Sequence, residues 1–337
     1  MKHTNYTIAT IGSHSALTIL HGAKQEGFKT LVVAPLKRAR FYRRFEFIDE
    51  VIEIKDYSQF DGVAKKLEKR KVVLVPHGSF VAYLGVEGNK KIQLPYFGSK
   101  DVLDWEGNRV MQLKWMVEAG VRVPKSFSGD DVIDRSVIVK TFGASGGSGY
   151  FVVHNQKEFD QKIGRLGDKE YVVQEYVIGV PMYFQFFYSP LTDQVELLAV
   201  DRRYESNVDA LGRMPLSHQE MIDIQPSFVV VGNSPLMVRE SLMPDLYEMA
   251  ERVVKTSKKL IGGKGLYGPF CLETIVTDQQ EIVLIEISCR IVAGANMFVS
   301  GSPYAFYHFN EPMSLGRRIC REVKLGVKQG RLDEMLD

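Results

Sequence analysis

Strand-like and helix-like segments alternate through the first hundred residues, and this alternation constrains the fold more than any other feature. The short apolar runs with strand-like composition are 7–11, 30–34, 51–54 and 72–75. Helical patterns at about 15–26 and 59–70 separate two pairs of these runs. Such alternation predicts a parallel α/β domain. Ligands of these domains gather at the carboxyl ends of the strands.

Two polar residues directly follow strand-like runs in this region. His14 lies in the segment GSHS after the first run, and Ser79 ends the segment PHGS after the fourth run. Because the carboxyl ends of parallel strands meet at one edge of the sheet, we expect both side chains to share a crevice. A cap or surface residue is the alternative interpretation of His14.

Hairpins replace the helical crossovers after a predicted helix near 105–119. That helix ends at Gly120 and Pro124, which indicates a domain connection. The later strand-like runs are 137–140, 150–153, 170–177, 182–188, 196–201, 270–277 and 281–288. Helices are predicted near 245–260 and 315–328. The predicted fold class is therefore α/β, with an α+β arrangement in the C-terminal part.

A glycine-rich segment separates the runs 137–140 and 150–153. Its glycines are Gly143, Gly146, Gly147 and Gly149. They allow close approach of the backbone to phosphate oxygens. The segment lacks the Gly-Lys-Ser/Thr of a Walker loop, and a strand follows it where a Rossmann turn requires a helix. It predicts a hairpin lid over phosphates, with Lys140 supplying positive charge; a surface hairpin without a ligand is the alternative.

Two glutamates on the last predicted hairpin indicate a metal. With 279–280 as a two-residue turn, Glu273 faces Glu286 across the hairpin, whereas a one-residue slip would separate them. Facing like charges destabilise a sheet unless a cation lies between them. Two carboxylates with nucleotide phosphates form a common magnesium site. Ser288 and Arg290 follow on the same face, and Arg290 is suited to binding phosphate.

Two further segments are weaker signals. The segment QEYV, residues 174–177, could present backbone groups to an adenine edge, with Glu175 accepting from the amino group. An ordinary strand end is the alternative. The basic run KRARFYRR, residues 37–44, could bind a phosphate, but most such runs are solvated loops, so we expect at most a minor role.

Composition narrows the class of protein. The formal net charge of +2 does not call for a nucleic-acid partner, and no apolar stretch is long enough to span a bilayer. With no signal-peptide pattern at the N-terminus, we expect a cytoplasmic protein. Cys271, Cys289 and Cys320 lack metal-ligand spacing and are predicted to be free, buried thiols. Any metal site should therefore consist of oxygen ligands.

The order of these elements resembles the ATP-grasp superfamily. More specific motifs extend over nearly the whole chain: GSHSA at 12–16, PHGSFVAYLG at 76–85, DRRYESN at 201–207, GN at 232–233, RESL at 239–242, GPFC at 268–271 and GSPY at 301–304. Together they are similar to the archaeal formate-dependent 5-formaminoimidazole-4-carboxamide ribonucleotide synthetases.

The resemblance implies an ATP-grasp fold preceded by a parallel α/β domain. That N-terminal domain, on the ribotide-binding side, would span 1–100. The small ATP-grasp subdomain with the glycine-rich lid would span 101–180, and the large subdomain with the magnesium site would span 181–337. The implied enzyme is a ligase that uses ATP and formate to convert 5-aminoimidazole-4-carboxamide ribonucleotide (AICAR) to its 5-formamido product (FAICAR). This reaction belongs to IMP biosynthesis and proceeds through formyl phosphate to ADP and phosphate.

The resemblance also implies roles for individual residues. AICAR would be bound by His14, Ser79 and Asn233, and the metal by Glu273 and Glu286. The nucleotide would contact Lys140, the four glycines, Glu175, Tyr176, Val177 and Glu205. Lys140 and Arg290 would stabilise the transferred phosphoryl group. The expected cofactors are ATP and Mg²⁺, with Mn²⁺ as an alternative metal, and the expected partners are AICAR, formate and further copies of the chain.

Several positions depart from the family pattern. Ser145 and Ser148 stand in the glycine-rich segment where basic residues are common, and Ser288 stands where many ATP-grasp enzymes have Asn. The acidic residue that often binds the ribose shortly after this segment is missing, since Val180 and Pro181 stand there, so Glu205 is expected to take its place. Two alternatives stay open: an ATP-grasp ligase for another carboxylate and amine, and a purine-nucleotide-binding paralogue without activity.

Overall fold

The computed structural model describes residues 5–128, 131–141, 150–167, 170–219, 221, 227 and 229–337, with the backbone alone at 216–217. The glycine-rich segment lies outside these residues. The predictions for Gly143, Ser145, Gly146, Gly147, Ser148 and Gly149 therefore concern positions that the structure does not describe.

The first hundred residues form the predicted parallel sheet. Its strands are β1 (Thr7–Ile11), β2 (Lys29–Pro35), β3 (Glu50–Ile54) and β4 (Val72–Leu74), in the order β3-β2-β1-β4. The connecting helices are α1 (Ala16–Gln25), α2 (Leu36–Tyr42) and α3 (Phe60–Leu67), and α4 (Ser79–Lys90) follows β4. Every residue of β1 and of the edge strand β4 is buried, as expected for a parallel sheet covered on both faces.

The sequence patterns missed α2 and α4. The basic run 37–44, expected to be a solvated loop, belongs largely to α2, so that interpretation was wrong. Ala39 and Tyr42 are buried one turn apart and attach this short helix to the sheet, while Lys37 and Arg40 remain exposed. Helix α4 is kinked at Gly85, where φ is 69°. A short helix with one buried turn leaves little periodicity to detect.

The helix predicted near 105–119 is in fact two helices, α5 (Val102–Gly107) and α6 (Arg109–Glu118). Asn108 separates them with an extended backbone, and its side chain accepts hydrogen bonds from the N–H groups of Val110 and Met111. An N-cap of this kind starts a new helix. Glu106 lies near the end of α5, and Arg109 is the first residue of α6.

A small antiparallel sheet follows. Its strands are β5 (Ser126–Phe127), β6 (Val137–Thr141), β7 (Tyr150–Val153) and β8 (Tyr171–Glu175), in the order β5-β8-β6-β7. Helix α7 (Gln156–Ile163) lies between β7 and β8 in the chain. Val137 and Val139 alternate with Ile138 and Lys140 along β6, so Lys140 lies on the face opposite the small core.

A five-stranded antiparallel sheet forms the largest unit. Its strands are β9 (Val180–Ser189), β10 (Gln194–Glu205), β11 (Val230–Pro235), β12 (Gly268–Val276) and β13 (Ile282–Ser288), in the order β11-β10-β9-β12-β13. The remaining helices are α8 (Ser206–Leu211), α9 (Leu216–Gln219), α10 (Met243–Leu260), α11 (Pro303–Phe309) and α12 (Leu315–Gln329). Phe184, Phe186 and Phe270 are fully buried in the core of this sheet.

The C-terminal part returns to the first sheet at two places. Helix α12 crosses α1 closely, because Gly22 and Gly316 leave no side chain between the two backbones. After β13, Ile291 forms a parallel bridge with His77 and brings Arg290 to the carboxyl edge of the parallel sheet. The division into domains at 100 and 180 stays a prediction. None of the helices in the described ranges is both long and apolar enough to cross a membrane.

Candidate active site

Glu273 and Glu286 face each other on the β12–β13 hairpin, which confirms the predicted pairing. The predicted two-residue turn was wrong. The loop has three residues, 278–280, and ends with Gln280 in the left-handed region at φ 62°. A bulge after Glu273 skips Ile285, since Thr274 pairs with Leu284. The extra residue in the loop and the extra residue in the strand compensate, so the glutamates stay opposite one another.

Arg203 on β10 holds one of these glutamates. Its guanidinium donates to both carboxylate oxygens of Glu273, at 2.8 and 2.7 Å, and Ser288 Oγ donates to the same carboxylate at 3.0 Å. Glu273 is 6% exposed. Burial alone would raise the pKa of Glu273, but Arg203 lowers it, so the carboxylate stays ionised.

Glu286 has the opposite environment. Within the described part of the chain its carboxylate accepts no hydrogen bond, and burial together with the Glu273 charge raises its pKa to about 7. An ionisable oxygen without a protein partner beside an ionised carboxylate fits an oxygen-coordinated cation. No cluster of three or more His, Cys, Asp or Glu side chains suited to a metal occurs among the described residues. A cation here would therefore need phosphate or water ligands as well.

Lys140 reaches toward this hairpin from the small sheet. Its Nζ donates to Gln174 Oε1 at 3.0 Å. Burial, followed by the Arg109 charge, lowers the pKa of Lys140 to about 8, and Glu286 and Glu273 oppose that decrease. Lys140 and Arg109 line a cavity of about 450 Å³ between α6 and the small sheet. Asp131 also lines this cavity, which reaches the last hairpin at Ile285, the residue before Glu286.

The predicted adenine-binding residues share a cleft at the end of β8. Glu175, Tyr176 and Val177 line a cavity of about 290 Å³ together with the β12–β13 loop. Glu175 Oε2 accepts from the backbone N–H of Lys125 at 3.3 Å. Burial and then the charge of Glu205 raise the pKa of Tyr176. Their contacts with a nucleotide stay predictions.

His14 and Ser79 meet at the carboxyl edge of the parallel sheet, as expected from the strand order. Ser79 Oγ lies 3.0 Å from His14 Nδ1, and it donates to Ser13 Oγ at 3.0 Å. His14 adopts the left-handed conformation at φ 42°. Its side chain is exposed at the mouth of the site, yet partial desolvation, followed by the Arg290 charge, lowers the pKa of His14. The imidazole is therefore neutral near pH 7.

Arg290 connects the two halves of the site. A Cβ atom added at Gly78 would lie 3.5 Å from both Arg290 Cζ and His14 Cδ2, so glycine leaves room for this contact. Arg290 pairs with Glu106 at 2.8 Å, and its buried Nε has no hydrogen-bond partner in the described ranges. Burial alone would lower the pKa of Arg290, but the charge of Glu106, followed by those of Glu273 and Glu286, raises it. One guanidinium thus lies between the histidine and the glutamate pair.

Asn233 lies on β11, away from His14 and Ser79. Its Nδ2 donates to Asp201 Oδ2 at 2.8 Å, and Gln185 Nε2 donates to Asp201 Oδ1 at 2.6 Å. The segment 293–298 links the two places: Gly294 packs against the Asp201 carboxylate, and Asn296 Nδ2 donates to His14 O at 3.0 Å. Asn233 is thus connected with the His14 turn only through Asp201 and the segment 293–298, and its part in substrate binding stays a prediction.

Several residues of the site were not predicted. Asp201, Arg203 and Glu205 alternate along β10, and this period of two in the DRRYESN motif could have identified Arg203. Glu106 and Arg109 have no comparable sequence signal, because tertiary packing alone brings α5 and α6 to the site. The three cysteines are free and buried, as predicted.

Comparison with known proteins agrees with this geometry. Family models described as "Domain of unknown function (DUF1297)" and "Protein of unknown function (DUF1246)" match residues 154–337 and 8–127. A 5-formaminoimidazole-4-carboxamide-1-(beta)-D-ribofuranosyl 5'-monophosphate synthetase of Sulfurisphaera tokodaii is 46% identical over 336 residues, covering 98% of this chain and 99% of the relative.

Two solved structures show the same architecture. The IMP biosynthesis protein PurP from Thermococcus kodakaraensis has a TM-score of 0.80 and 31% identity, covering 98% of this chain and 100% of its own. The N5-carboxyaminoimidazole synthetase from Staphylococcus aureus has a TM-score of 0.62 at 15% identity, covering 88% and 73%. The second likeness concerns the fold alone, which is the predicted ATP-grasp fold. The chain belongs to the family of 5-formaminoimidazole-4-carboxamide ribonucleotide synthetases.

Proposed function

We propose that the chain is an ATP-dependent ligase that joins formate to the 5-amino group of AICAR, giving FAICAR, ADP and phosphate in IMP biosynthesis. The position of Arg290 carries the proposal. Its guanidinium lies beside His14 and within electrostatic reach of Glu273 and Glu286. The carboxylate pair proposed to hold the metal and the sheet edge proposed to bind the ribotide would therefore adjoin one another, as transfer from ATP to a ribotide requires.

ATP would lie between the small sheet and the five-stranded sheet. Glu175, Tyr176 and Val177 would contact the base, Glu205 the ribose, and Lys140 the phosphates, with the glycine-rich segment above them. Glu273 and Glu286 would hold Mg²⁺, or Mn²⁺ in its place, because both offer carboxylate oxygens and Glu286 has no protein partner in the described ranges. When bound, the metal would supply positive charge to the transferring phosphoryl oxygens.

The proposed reaction has two steps. A formate oxygen attacks the γ-phosphoryl group and ADP departs, which leaves formyl phosphate; Lys140 and Arg290 stabilise the negative charge that develops. The ribotide amine then attacks the formyl carbon, and phosphate departs with the formate oxygen. Neutral His14 and the hydroxyl of Ser79, with Asn233, hold the weakly nucleophilic amine in place.

An activity assay tests this proposal. The purified protein is incubated with ATP, Mg²⁺, formate and AICAR, and both ADP and FAICAR are quantified. ADP release should require formate and AICAR together, and the Glu286→Gln variant should lose most of it. Acetate and bicarbonate serve as alternative carboxylates, and turnover with one of them in place of formate would favour another ligase.

The non-catalytic alternative has its own outcome in that assay. At the position where many ATP-grasp enzymes have Asn, the hydroxyl of Ser288 donates to Glu273, so this chain has no side-chain amide there. A protein that binds ATP and AICAR but releases no ADP under any combination would be a nucleotide-binding paralogue. Self-association and a cytoplasmic location stay predictions; light scattering of the purified protein would test the former.

A further inference from the structure

One face of the five-stranded sheet carries a row of polar side chains that crosses all its strands. Residues directly opposite in antiparallel strands share a face, as do residues two apart within one strand. In the order β13-β12-β9-β10-β11 the row consists of Glu286, Glu273, Tyr183, Arg203 and Asn233. Arg203 therefore lies between the proposed metal pair and the residue predicted to bind the ribotide. Formate belongs in the same interval, since it must meet the γ-phosphoryl group on one side and the ribotide amine on the other.

The protein itself holds the guanidinium of Arg203 in one orientation. Its Cζ lies 3.6 Å from the centre of the Tyr183 ring, and two of its N–H groups donate to the carboxylate of Glu273. The ring fixes the plane of the guanidinium, and the paired hydrogen bonds fix its rotation within that plane. A group held in this way loses little further freedom when it binds a ligand.

Part of this guanidinium stays available to a ligand. A guanidinium has five N–H donors, and the two that bind Glu273 are the ones with an acceptor in the described part of the chain. The side chain of Arg203 keeps 19% of its surface exposed, so it is not sealed within the sheet. A planar carboxylate matches a second edge of a guanidinium with two parallel hydrogen bonds.

The surroundings of Arg203 favour an anion once the metal is bound. Two carboxylates outweigh the single guanidinium, but a divalent cation between the carboxylates makes the local charge positive. Tyr183 also packs with Cys271 and Val292 in a buried apolar cluster, and charges interact more strongly there than in water. Burial and, among other charges, that of Arg203 lower the pKa of His14, so the field of Arg203 extends to the proposed ribotide edge.

We infer that Arg203 binds the carboxylate of formate and holds it between the metal pair and the ribotide. This assignment rests on the proposed function and adds to it the residue that contacts formate. Glu273 then has two roles, since its carboxylate would hold the metal and also orients the guanidinium that binds the anion. The same guanidinium would stabilise the negative charge on the formyl oxygen as the amine attacks.

Steady-state kinetics with each substrate varied in turn test the assignment. Arg203→Lys keeps a positive charge beside Glu273 but has no second edge for a carboxylate. Its KM for formate should rise by about 10- to 100-fold, whereas its KM values for ATP and AICAR should stay within about threefold of wild type. The matched control Arg202→Lys changes the neighbouring arginine, which is exposed, and should leave all three KM values unchanged.

A purely structural role of Arg203 predicts a different result. If Arg203 only neutralised Glu273, Arg203→Lys would raise the KM for ATP at least as much as that for formate, and this result would overturn the assignment. If Arg203→Lys does not fold, Tyr183→Leu replaces it, because it retains both charges and removes the ring that fixes the guanidinium. The KM for formate alone should then rise by about 3- to 30-fold, and an unchanged value would overturn the assignment.

A binding experiment separates this assignment from the proposed function. Saturation transfer from the protein to the formate proton is measured by NMR with ADP and Mg²⁺, so that no turnover occurs. Wild type should show transfer and Arg203→Lys should lose most of it; equal transfer in both would overturn the assignment. A protein that binds formate through Arg203 but does not formylate AICAR would refute the proposed reaction and retain the formate site. A protein that formylates AICAR with an unchanged KM for formate in Arg203→Lys would retain the reaction and refute the site.

Discussion

Replacing Arg203 by Met should strongly destabilise the protein. The side chains of Arg203 and Glu273 are only 19% and 8% exposed, and two hydrogen bonds join them. Removing the guanidinium leaves a buried carboxylate without its main counter-charge, beside the second carboxylate of Glu286. Breaking a buried pair in this way costs about 3–5 kcal/mol of unfolding free energy.

Equilibrium urea denaturation at about pH 7 measures this cost, and a second substitution tests its cause. Arg203→Met with Glu273→Gln removes the uncompensated charge, so most of the lost stability should return. Mg²⁺ should also stabilise the single variant more than wild type, since Glu273 no longer has an internal cation. A loss below about 1 kcal/mol, or a double variant no more stable than the single one, would refute the reasoning.

Three further predictions follow from the same geometry. Burial lowers the pKa of His77 from 6.5 to about 3, so the stability that the neutral imidazole contributes is complete above pH 6.5 and is lost as the pH falls. Between pH 6.5 and about 3, the unfolding free energy of wild type should fall by about 1.4 kcal/mol per pH unit relative to that of His77→Gln, and parallel pH profiles of the two proteins would contradict this. Gly294→Ala places a methyl group against the Asp201 carboxylate and should cost about 1–3 kcal/mol in urea denaturation, whereas Gly232→Ala, with open space around it, should cost less. Lys140→Met should raise the KM for ATP and lower kcat, so that kcat/KM falls by about 10- to 100-fold, and it should leave AICAR binding unchanged. Steady-state kinetics and calorimetry measure the two effects, and weaker AICAR binding with an unchanged KM for ATP would contradict the prediction.

Local patterns predicted the parts of the fold whose contacts are close in sequence. The parallel strands and the pairing of Glu273 with Glu286 follow from apolar runs of the right length. The predicted pairing was correct although the predicted turn was one residue too short, because a bulge at Ile285 restores the register that the third loop residue shifts. Neither the bulge nor the left-handed Gln280 has a distinctive residue type, so spacing alone could not identify them.

Contacts between distant residues explain most of what was missed. Arg203 lies 70 positions from Glu273, and Arg38 reaches the turn before α1 from a helix with a single buried turn. Asn108 shows that one residue can divide a continuous helical pattern when its side chain caps the second part. The role predicted for Asn233 comes from the resemblance to known ligases alone, since its hydrogen bond to Asp201 would not indicate substrate binding.

The fate of the formate oxygens tests the central claim most directly. Formate labelled with oxygen-18 is turned over with ATP and AICAR, and the phosphate and FAICAR are analysed by mass spectrometry. If ATP activates formate as formyl phosphate, one labelled oxygen appears in the phosphate and the other in the formamide group. Phosphate without label, in the presence of labelled FAICAR, would contradict the proposed activation of formate by ATP.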